Sequence, residues 1–341
     1  MKILQQKPPK TLNNIFVNSC PQFTLWAVHF IQGCNFVKKE KLLGPVYCIL
    51  AAVIWGLSFV AQKSGASIGT FTFNGIRTLI GGIVLIPVLV FNHYKKNKNL
   101  KKEEKIKFDF NGMLKGGTAC GLVLFVASNL QQQAFTYDIE AGKVAFITAL
   151  YMILVPIMGL FLGKKPKANV WIGVALGIVG LYFICIKKGN FSLGKGEIFA
   201  MLCAVAFAVH ILVIDKFCNK VDNVALSCGQ FLVAGIISVI CMFIFEEPKM
   251  SAILDNSITI LYAGIGSCGF AFTFQIFGQR YSEPAVASLL LCLESVFAVI
   301  FGWIILHDNL GARALIGCII MFAGVAFTQI PFDSLKNNKK A

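Results

Sequence analysis

The sequence predicts an all-α integral membrane protein with ten transmembrane helices in two inverted five-helix repeats. Three observations lead to this fold class: an apolar composition, ten long apolar runs, and similarity between the two halves of the chain. Of the 341 residues, 57% are hydrophobic and 14% are charged, whereas soluble proteins average about 25% charged residues. So few charges are typical of a chain that crosses the bilayer many times.

Each apolar run is long enough to cross a bilayer as a helix. A span needs about 20 apolar residues, and its backbone must satisfy its own hydrogen bonds inside lipid. Pro87 and Pro156 fall inside two runs, where we expect kinks. The predicted spans are residues 44–62, 73–92, 113–135, 142–162, 168–187, 196–215, 224–245, 257–278, 284–306 and 311–330.

The second half of the chain repeats the first. Sliding the sequence by 144 residues places Gly173 on Gly317 and Gly180 on Gly324. Five spans is an odd number, so the second copy enters the membrane upside down, as in many secondary transporters. The expected organisation is an N-terminal tail, two repeats and a C-terminal tail, at residues 1–43, 44–187, 188–331 and 332–341.

Lysine and arginine residues predict the orientation. Most of the 31 basic residues fall in the two tails and in segments 95–115, 164–167 and 216–220, which lie on one side if the spans alternate. Basic loops mark the cytoplasmic side. We therefore expect a multi-pass protein of the cell membrane with both termini in the cytoplasm. Lys187, Lys188 and Lys195 are exceptions on the predicted outer side.

Several functional classes lack a matching motif. The net charge of +15 is concentrated in loops, as expected for a membrane protein, so we expect no nucleic acid partner. The twelve cysteines include no CxxC pair, and no metal site is expected. The chain has no GxxxxGK[ST] loop for ATP and no HExxH motif. We expect neither an enzyme nor a cofactor.

One acidic residue lies in the middle of span nine. Glu294 is the only charged residue between positions 284 and 306. A charge at the bilayer centre costs at least ~2.5–3.5 kcal/mol. Either Glu294 faces a water-filled cavity, where it carries a proton or binds a cationic group, or it forms a hydrogen bond that holds a neighbouring helix in place. Both interpretations stay open.

Polar and aromatic residues on other spans are further candidates for such a cavity. On spans one, three and eight these residues recur at helical spacing and so share one face of the helix, whereas spans four and six contribute one residue each. Each has an alternative role as a packing residue, and a buried histidine more often packs than relays protons. With Glu294, the candidate solute-binding residues are Trp55, Ser58, Gln62, Asn129, Gln133, Tyr151, His210, Gln275 and Gln279.

Two further features are expected to be structural. Arg77, near the start of span two, is expected at the membrane interface, with an anionic substrate as its alternative partner. The stretch GVALGIVG (173–180) contains a GxxxG motif, which permits close helix contact. Packing inside the chain is favoured over a homodimer.

Four stretches together resemble the EamA-type branch of the drug/metabolite transporter superfamily, with similarity from about Gly44 to Pro331. The resemblance implies a secondary transporter that moves small, amino-acid-like or related solutes across the membrane by alternating access, with export as the expected direction. A metabolite importer and a non-transporting receptor or scaffold are the alternatives. The family often has proline after the span-nine glutamate and glutamate at the span end, where this chain has Ser295 and Asp308. The stretches are AAVIWGLSFVAQKSG, FTFNGIRTLIGG, ASNLQQQAFTYDIEAGKVAFITALY and EPAVASLLLCLESVFAVIFGWIILHDNL.

Overall fold

The structure, a computed structural model, describes residues 39–101, 103–137, 139, 141–185, 194–305 and 311–329. Every regular element in these ranges is helical. Most of both predicted tails, with Lys187, Lys188 and Asp308, lies outside the described residues. The helices are α1 (Lys39–Ser64), α2 (Thr70–Asn97), α3 (Phe110–Phe135), α4 (Ala141–Ala149), α5 (Tyr151–Phe161), α6 (Ala168–Cys185), α7 (Lys195–Phe217), α8 (Asn223–Phe245), α9 (Met250–Asp255), α10 (Ser257–Leu261), α11 (Phe272–Tyr281), α12 (Pro284–Leu291), α13 (Glu294–Ile305) and α14 (Ala312–Thr328).

Within the described residues, eight helical stretches are long and apolar enough to cross a membrane. They coincide with predicted spans one to four and six to nine. The shorter apolar helices α6 and α14 occupy the positions of predicted spans five and ten. Both end beside residues outside the described ranges. The chain is therefore an all-helical integral membrane protein, as the composition predicted.

Contacts between helix ends define two ends of the bundle. At one, Lys96 Nζ of α2 lies 2.6 Å from the Asp222 carboxylate that precedes α8, and Lys164 after α5 pairs with Asp215 of α7. We call this the lysine-rich end (residues 95–101, 162–167 and 216–222). At the opposite end (residues 64–71 and 246–249), Glu246 after α8 contacts the start of α2. α2 and α8 therefore run in opposite directions.

Helices from the first half of the chain pack mainly on helices from the second half. The largest contacts join α6 to α14, α2 to α8, and α3 to both α7 and α8. Glycines bring α6 and α14 together: a Cβ added at Gly180 would lie 2.8 Å from the Gly317 carbonyl oxygen, and one at Gly173 would lie 3.0 Å from that of Gly324. The GxxxG stretch therefore serves helix packing inside the chain.

The start of α2 is stabilised from another helix. Gly69 precedes α2 with φ of +99°, a conformation that favours glycine, and it supplies no side-chain cap. Instead the Glu246 carboxylate accepts hydrogen bonds from the backbone N–H groups of Phe71 and Thr72, at 2.9 and 2.8 Å, and from the Thr72 hydroxyl at 2.7 Å. A Cβ at Gly69 would lie 2.5 Å from this carboxylate. Glycine is therefore required here by both conformation and space.

Predicted spans four and nine are each interrupted, which the sequence analysis did not predict. α4 ends at Ala149 and α5 begins at Tyr151, while α12 ends at Leu291 and α13 begins at Glu294. Pro156 lies inside α5 and not at the break. The Ala149 carbonyl accepts a hydrogen bond from the Cys292 thiol at 3.3 Å instead of completing the helical ladder. A side chain that takes over a ladder position is a common cause of a broken helix.

Candidate functional site

A buried cavity lies at the level of the two interruptions. Its empty volume is about 500 Å³, of which about 40 Å³ is open to the centres of water molecules, room for a few waters. α1, α7 and α11 form much of its wall, and the residues flanking both breaks complete it. The lining residues are Trp55, Ser58, Phe59, Gln62, Arg77, Gln131, Thr148, Tyr151, Phe207, Ile211, Ser267, Phe272, Gln275, Leu291 and Glu294.

The interruption of span nine sets the environment of Glu294. Glu294 is the first residue of α13, directly after the two-residue turn that follows α12. The Tyr151 hydroxyl, at the start of α5, donates a hydrogen bond to Glu294 Oε1 at 3.3 Å. The side chain is 5% exposed. The two breaks therefore bring the acid and its hydroxyl partner together on the cavity wall.

Arg77 is the second charged residue of the cavity. It was expected at the membrane interface, but it is 3% exposed and lines the cavity. Its Nε donates to Asn74 Oδ1 at 2.7 Å, and the Asn74 amide donates in turn to Asn129 Oδ1 at 3.0 Å. The guanidinium also lies 5.1 Å from the centre of the Phe73 ring. This chain of contacts between α2 and α3 orients the guanidinium.

The two cavity charges are not neutralised by ion pairs. Within the described ranges, neither Arg77 nor Glu294 has an opposite charge within salt-bridge distance. Buried charges are costly unless they are paired. The arrangement can therefore bind a basic and an acidic group of a solute within one cavity.

Six of the ten residues predicted from the sequence line this cavity: Trp55, Ser58, Gln62, Tyr151, Gln275 and Glu294. They come from α1, α5, α11 and α13. The Trp55 ring packs edge-on against Phe272, with ring centroids 4.7 Å apart. These two rings, with Phe207, form an aromatic side of the cavity.

The other four predicted residues are not part of its wall. Asn129 bonds to Ser238 of α8 at 3.1 Å, and Gln133 accepts a hydrogen bond from Thr70 at 2.9 Å. Gln279 donates to the Ile211 carbonyl at 2.7 Å. These three side chains join neighbouring helices, which is the alternative role that the sequence allowed.

His210 lies behind the aromatic side of the cavity. Its ring centroid is 6.3 Å from that of Phe207 and 6.1 Å from that of Phe272, and the side chain is fully buried. Its Nε2 is 3.0 Å from Gln230 Oε1 of α8. In this structure His210 therefore packs between helices and does not face the cavity.

Several lining residues were missed by the sequence analysis, among them Arg77, Gln131, Thr148 and Ser267. For Gln131 a signal was present. The slide of 144 residues places Gln131 on Gln275, and both line the cavity. The sequence analysis instead selected Gln133, which belongs to the same run of glutamines but is not part of the cavity wall.

These features define a polytopic α-helical membrane protein with a buried, charged cavity between its helices. The model of the EamA-like transporter family matches this chain twice, over residues 42–186 and 194–330. The chain therefore belongs to the EamA-like transporter family and is a membrane transporter of the drug/metabolite type.

Two relatives and one solved structure are similar to this chain. Over 295 residues the chain is 23% identical to the uncharacterized transporter YoaV of Bacillus subtilis (strain 168), with 84% of this chain and 97% of that protein covered. It is 21% identical over 273 residues to the uncharacterized inner membrane transporter YedA of Escherichia coli (strain K12), with coverages of 79% and 84%. A crystal structure of a protein with 18% identity has the same fold, with a TM-score of 0.68 over 83% of this chain and 95% of that chain.

Proposed function

We propose that this protein is a secondary transporter that exports small zwitterionic metabolites of the amino-acid type across the cell membrane by alternating access. The observation that carries the proposal is the presence of one basic and one acidic side chain, Arg77 and Glu294, on the wall of a single buried cavity, neither in an ion pair among the described residues. A carboxylate group of the solute binds Arg77, and an ammonium group binds Glu294 with the Trp55 ring nearby.

Cavity size supports a mechanism in which the helices move. The space open to water centres, about 40 Å³, is too small for an amino acid. The cavity therefore enlarges before a solute enters, and the half-helices α5 and α12 are the elements best placed to move. Alternating access then exposes the same site to each side of the membrane in turn.

We propose ten spans in two inverted repeats as the framework for this motion. Three observations support it: the family model matches each half of the chain, the two helix interruptions lie within two residues of positions related by the slide of 144 residues, and α6 and α14 pack reciprocally. Gly173 contacts Gly324 while Gly180 contacts Gly317. Such an exchange of contacts is typical of a twofold relation between the repeats.

The proposed orientation places the lysine-rich end in the cytoplasm, following the positive-inside rule. A reporter inserted within residues 103–109 is then expected to be cytoplasmic, and one within residues 246–249 to be outside. A cytoplasmic signal from 246–249 would contradict both the orientation and the inverted repeats.

The function is tested first by metabolite profiling of cells with and without the gene, and then by flux of the affected metabolites in liposomes. Glu294→Gln keeps the size and hydrogen bonding of the side chain but cannot carry a negative charge or titrate. We expect it to insert normally and to lose pH-dependent, concentrative flux, while Glu294→Asp retains part of it. Glu247→Gln, the same change at an exposed position, is the matched control.

The outcome separates the alternatives. Inward flux driven by a solute gradient in cells would identify an importer. No flux of any metabolite, with normal insertion, would favour a receptor or scaffold. An unchanged pH profile in Glu294→Gln would show that Glu294 serves packing alone.

A further inference from the structure

A second cavity lies at the lysine-rich end of the bundle. Its empty volume is about 610 Å³, and about 260 Å³ of this is open to the centres of water molecules, several times the value for the central cavity. We call it the inner vestibule, and none of its residues was singled out as a candidate for solute binding from the sequence. It is lined by Val155, Pro156, Gly159, Lys164, Lys165, Pro166, Leu212, Glu283, Pro284 and Ala285.

The inner vestibule and the central cavity share three helices. On α5, Tyr151 lines the central cavity and Val155, one turn further, lines the vestibule. On α7 the neighbours Ile211 and Leu212 line one cavity each. Since a helix rises 1.5 Å per residue, the two cavities are separated by about 6 Å along α5. The lining residues of the two cavities are thus one turn apart on α5 and adjacent on α7, and we call the boundary between the cavities the partition.

The partition is formed by two half-helices, each of which begins or ends at a helix break. α5 and α12 are the halves of spans four and nine that reach the lysine-rich end. The hydrogen bond from Tyr151 to Glu294 and the side chain of Leu291 lie on its central side. A tilt of either half-helix at its break would join the two cavities without moving a whole span.

The charges of the inner vestibule match those of the central cavity. Lys164 is paired with Asp215. Lys165 and Glu283 are exposed, and among the described residues neither has an ion-pair partner. The vestibule thus offers one basic and one acidic side chain without an ion-pair partner among the described residues, beside the paired Lys164, as the central cavity does with Arg77 and Glu294.

We infer that the inner vestibule is a second solute-holding chamber, through which the zwitterionic solute passes between the central cavity and the lysine-rich side. This inference rests on the proposed function. The solute moves one helical turn from the Arg77 and Glu294 pair to the Lys165 and Glu283 pair when the partition opens. The exposed charges of the vestibule are well hydrated, so it holds the solute more weakly than the central cavity.

Gly159 provides a test position inside the vestibule. A Cβ added there meets no atom closer than Lys164 Cβ at 3.7 Å, so a cysteine fits without rearrangement. Leu160, the next residue of α5, is 49% exposed on the outside of the bundle and serves as the matched control. The described native cysteines are almost all buried, and the parent protein measures their background reaction.

Gly159→Cys and Leu160→Cys are reconstituted and treated from each side with the anionic reagent sulfonatoethyl methanethiosulfonate. Flux is then measured with a mixture of radiolabelled neutral amino acids. We expect Gly159→Cys to react from the lysine-rich side alone, at about ten times the rate of Leu160→Cys, and its modification to abolish flux. In the Gly159→Cys background, Lys165→Gln should slow the anionic reagent, because it removes a cation that lines the same cavity.

Measuring flux in the parent protein distinguishes a failure of this inference from a failure of the proposed function. If the parent moves none of the amino acids, the proposed function fails. If the parent transports them and fully modified Gly159→Cys transports them equally well, the function stands and the vestibule is not on the path. Reaction from the opposite side, or at the same rate as Leu160→Cys, would also overturn the inference.

Discussion

Replacing Glu246 with alanine should weaken the junction between the end of α8 and the start of α2. Its carboxylate accepts hydrogen bonds from two backbone N–H groups and one hydroxyl at the beginning of α2. Gly69, the residue before the helix, offers no side chain to replace them. In Glu246→Ala these donors lose their acceptor.

The expected loss follows from the number of bonds. A hydrogen bond contributes a net ~1 kcal/mol to stability, and somewhat more when one partner is charged. Loss of a helix N-cap costs ~0.5–2 kcal/mol by itself. The junction is half-buried, so water replaces part of the three lost contacts. We therefore expect the free energy of unfolding to fall by about 2–3 kcal/mol.

The measurement is reversible unfolding of the purified protein in mixed detergent micelles, followed by helical circular dichroism. Glu247→Ala removes the same charge from the adjacent, exposed position and should change the free energy of unfolding by less than ~0.5 kcal/mol. Glu246→Gln keeps an acceptor and should fall between the two. Equal losses in Glu246→Ala and Glu247→Ala would refute the capping role.

Two further predictions concern charge and close packing. Burial tends to raise the pKa of the Asp222 carboxyl, but hydrogen bonds from Lys96 and from two backbone amides outweigh it, so the pKa lies below its ordinary value of 3.8. The carboxylate therefore stabilises the fold above that pH and loses its contribution as pH falls through the lowered pKa. Asp222→Asn should remove this part of the acid dependence of unfolding. Gly180→Ala should destabilise the protein by ~1–3 kcal/mol in the same unfolding assay, because its Cβ would lie 2.8 and 2.9 Å from backbone atoms of α14. Gly142→Ala is the control: its Cβ would have no neighbour within 4 Å, and the substitution should be neutral or stabilising.

Hydrophobic run length predicted where the described spans lie, but not that two of them are interrupted. Leucine-rich stretches such as residues 288–293 satisfy the length rule whether the helix is continuous or broken. The break in span four depends on a thiol from span nine reaching the Ala149 carbonyl. Such a contact between distant segments has no local signature.

The acidic residue of the site was predictable because a single charge in an apolar run is costly and therefore conspicuous. The face of α3 was not, because five of the six positions from Ser128 to Gln133 are polar, with Leu130 the exception. Which of them faces the cavity depends on the helices around α3: Asn129 bonds to α8 while Gln131 lines the cavity. Arg77 was misplaced for a related reason, since it is oriented by Asn74 and not by its distance from the span end.

The packing of first-half helices on second-half helices has a consequence for biosynthesis. While the ribosome is still translating the second half, α2 and α3 are already in the bilayer without α7 and α8. The amide pair of Asn74 and Asn129 is complete within these two early helices, so their most polar groups are shielded from lipid during the wait. The bond from Asn129 to Ser238 and those from the start of α2 to Glu246 must await α8. The nascent first half therefore enters the membrane with these two amides already bonded to each other, and the later helices pack over them.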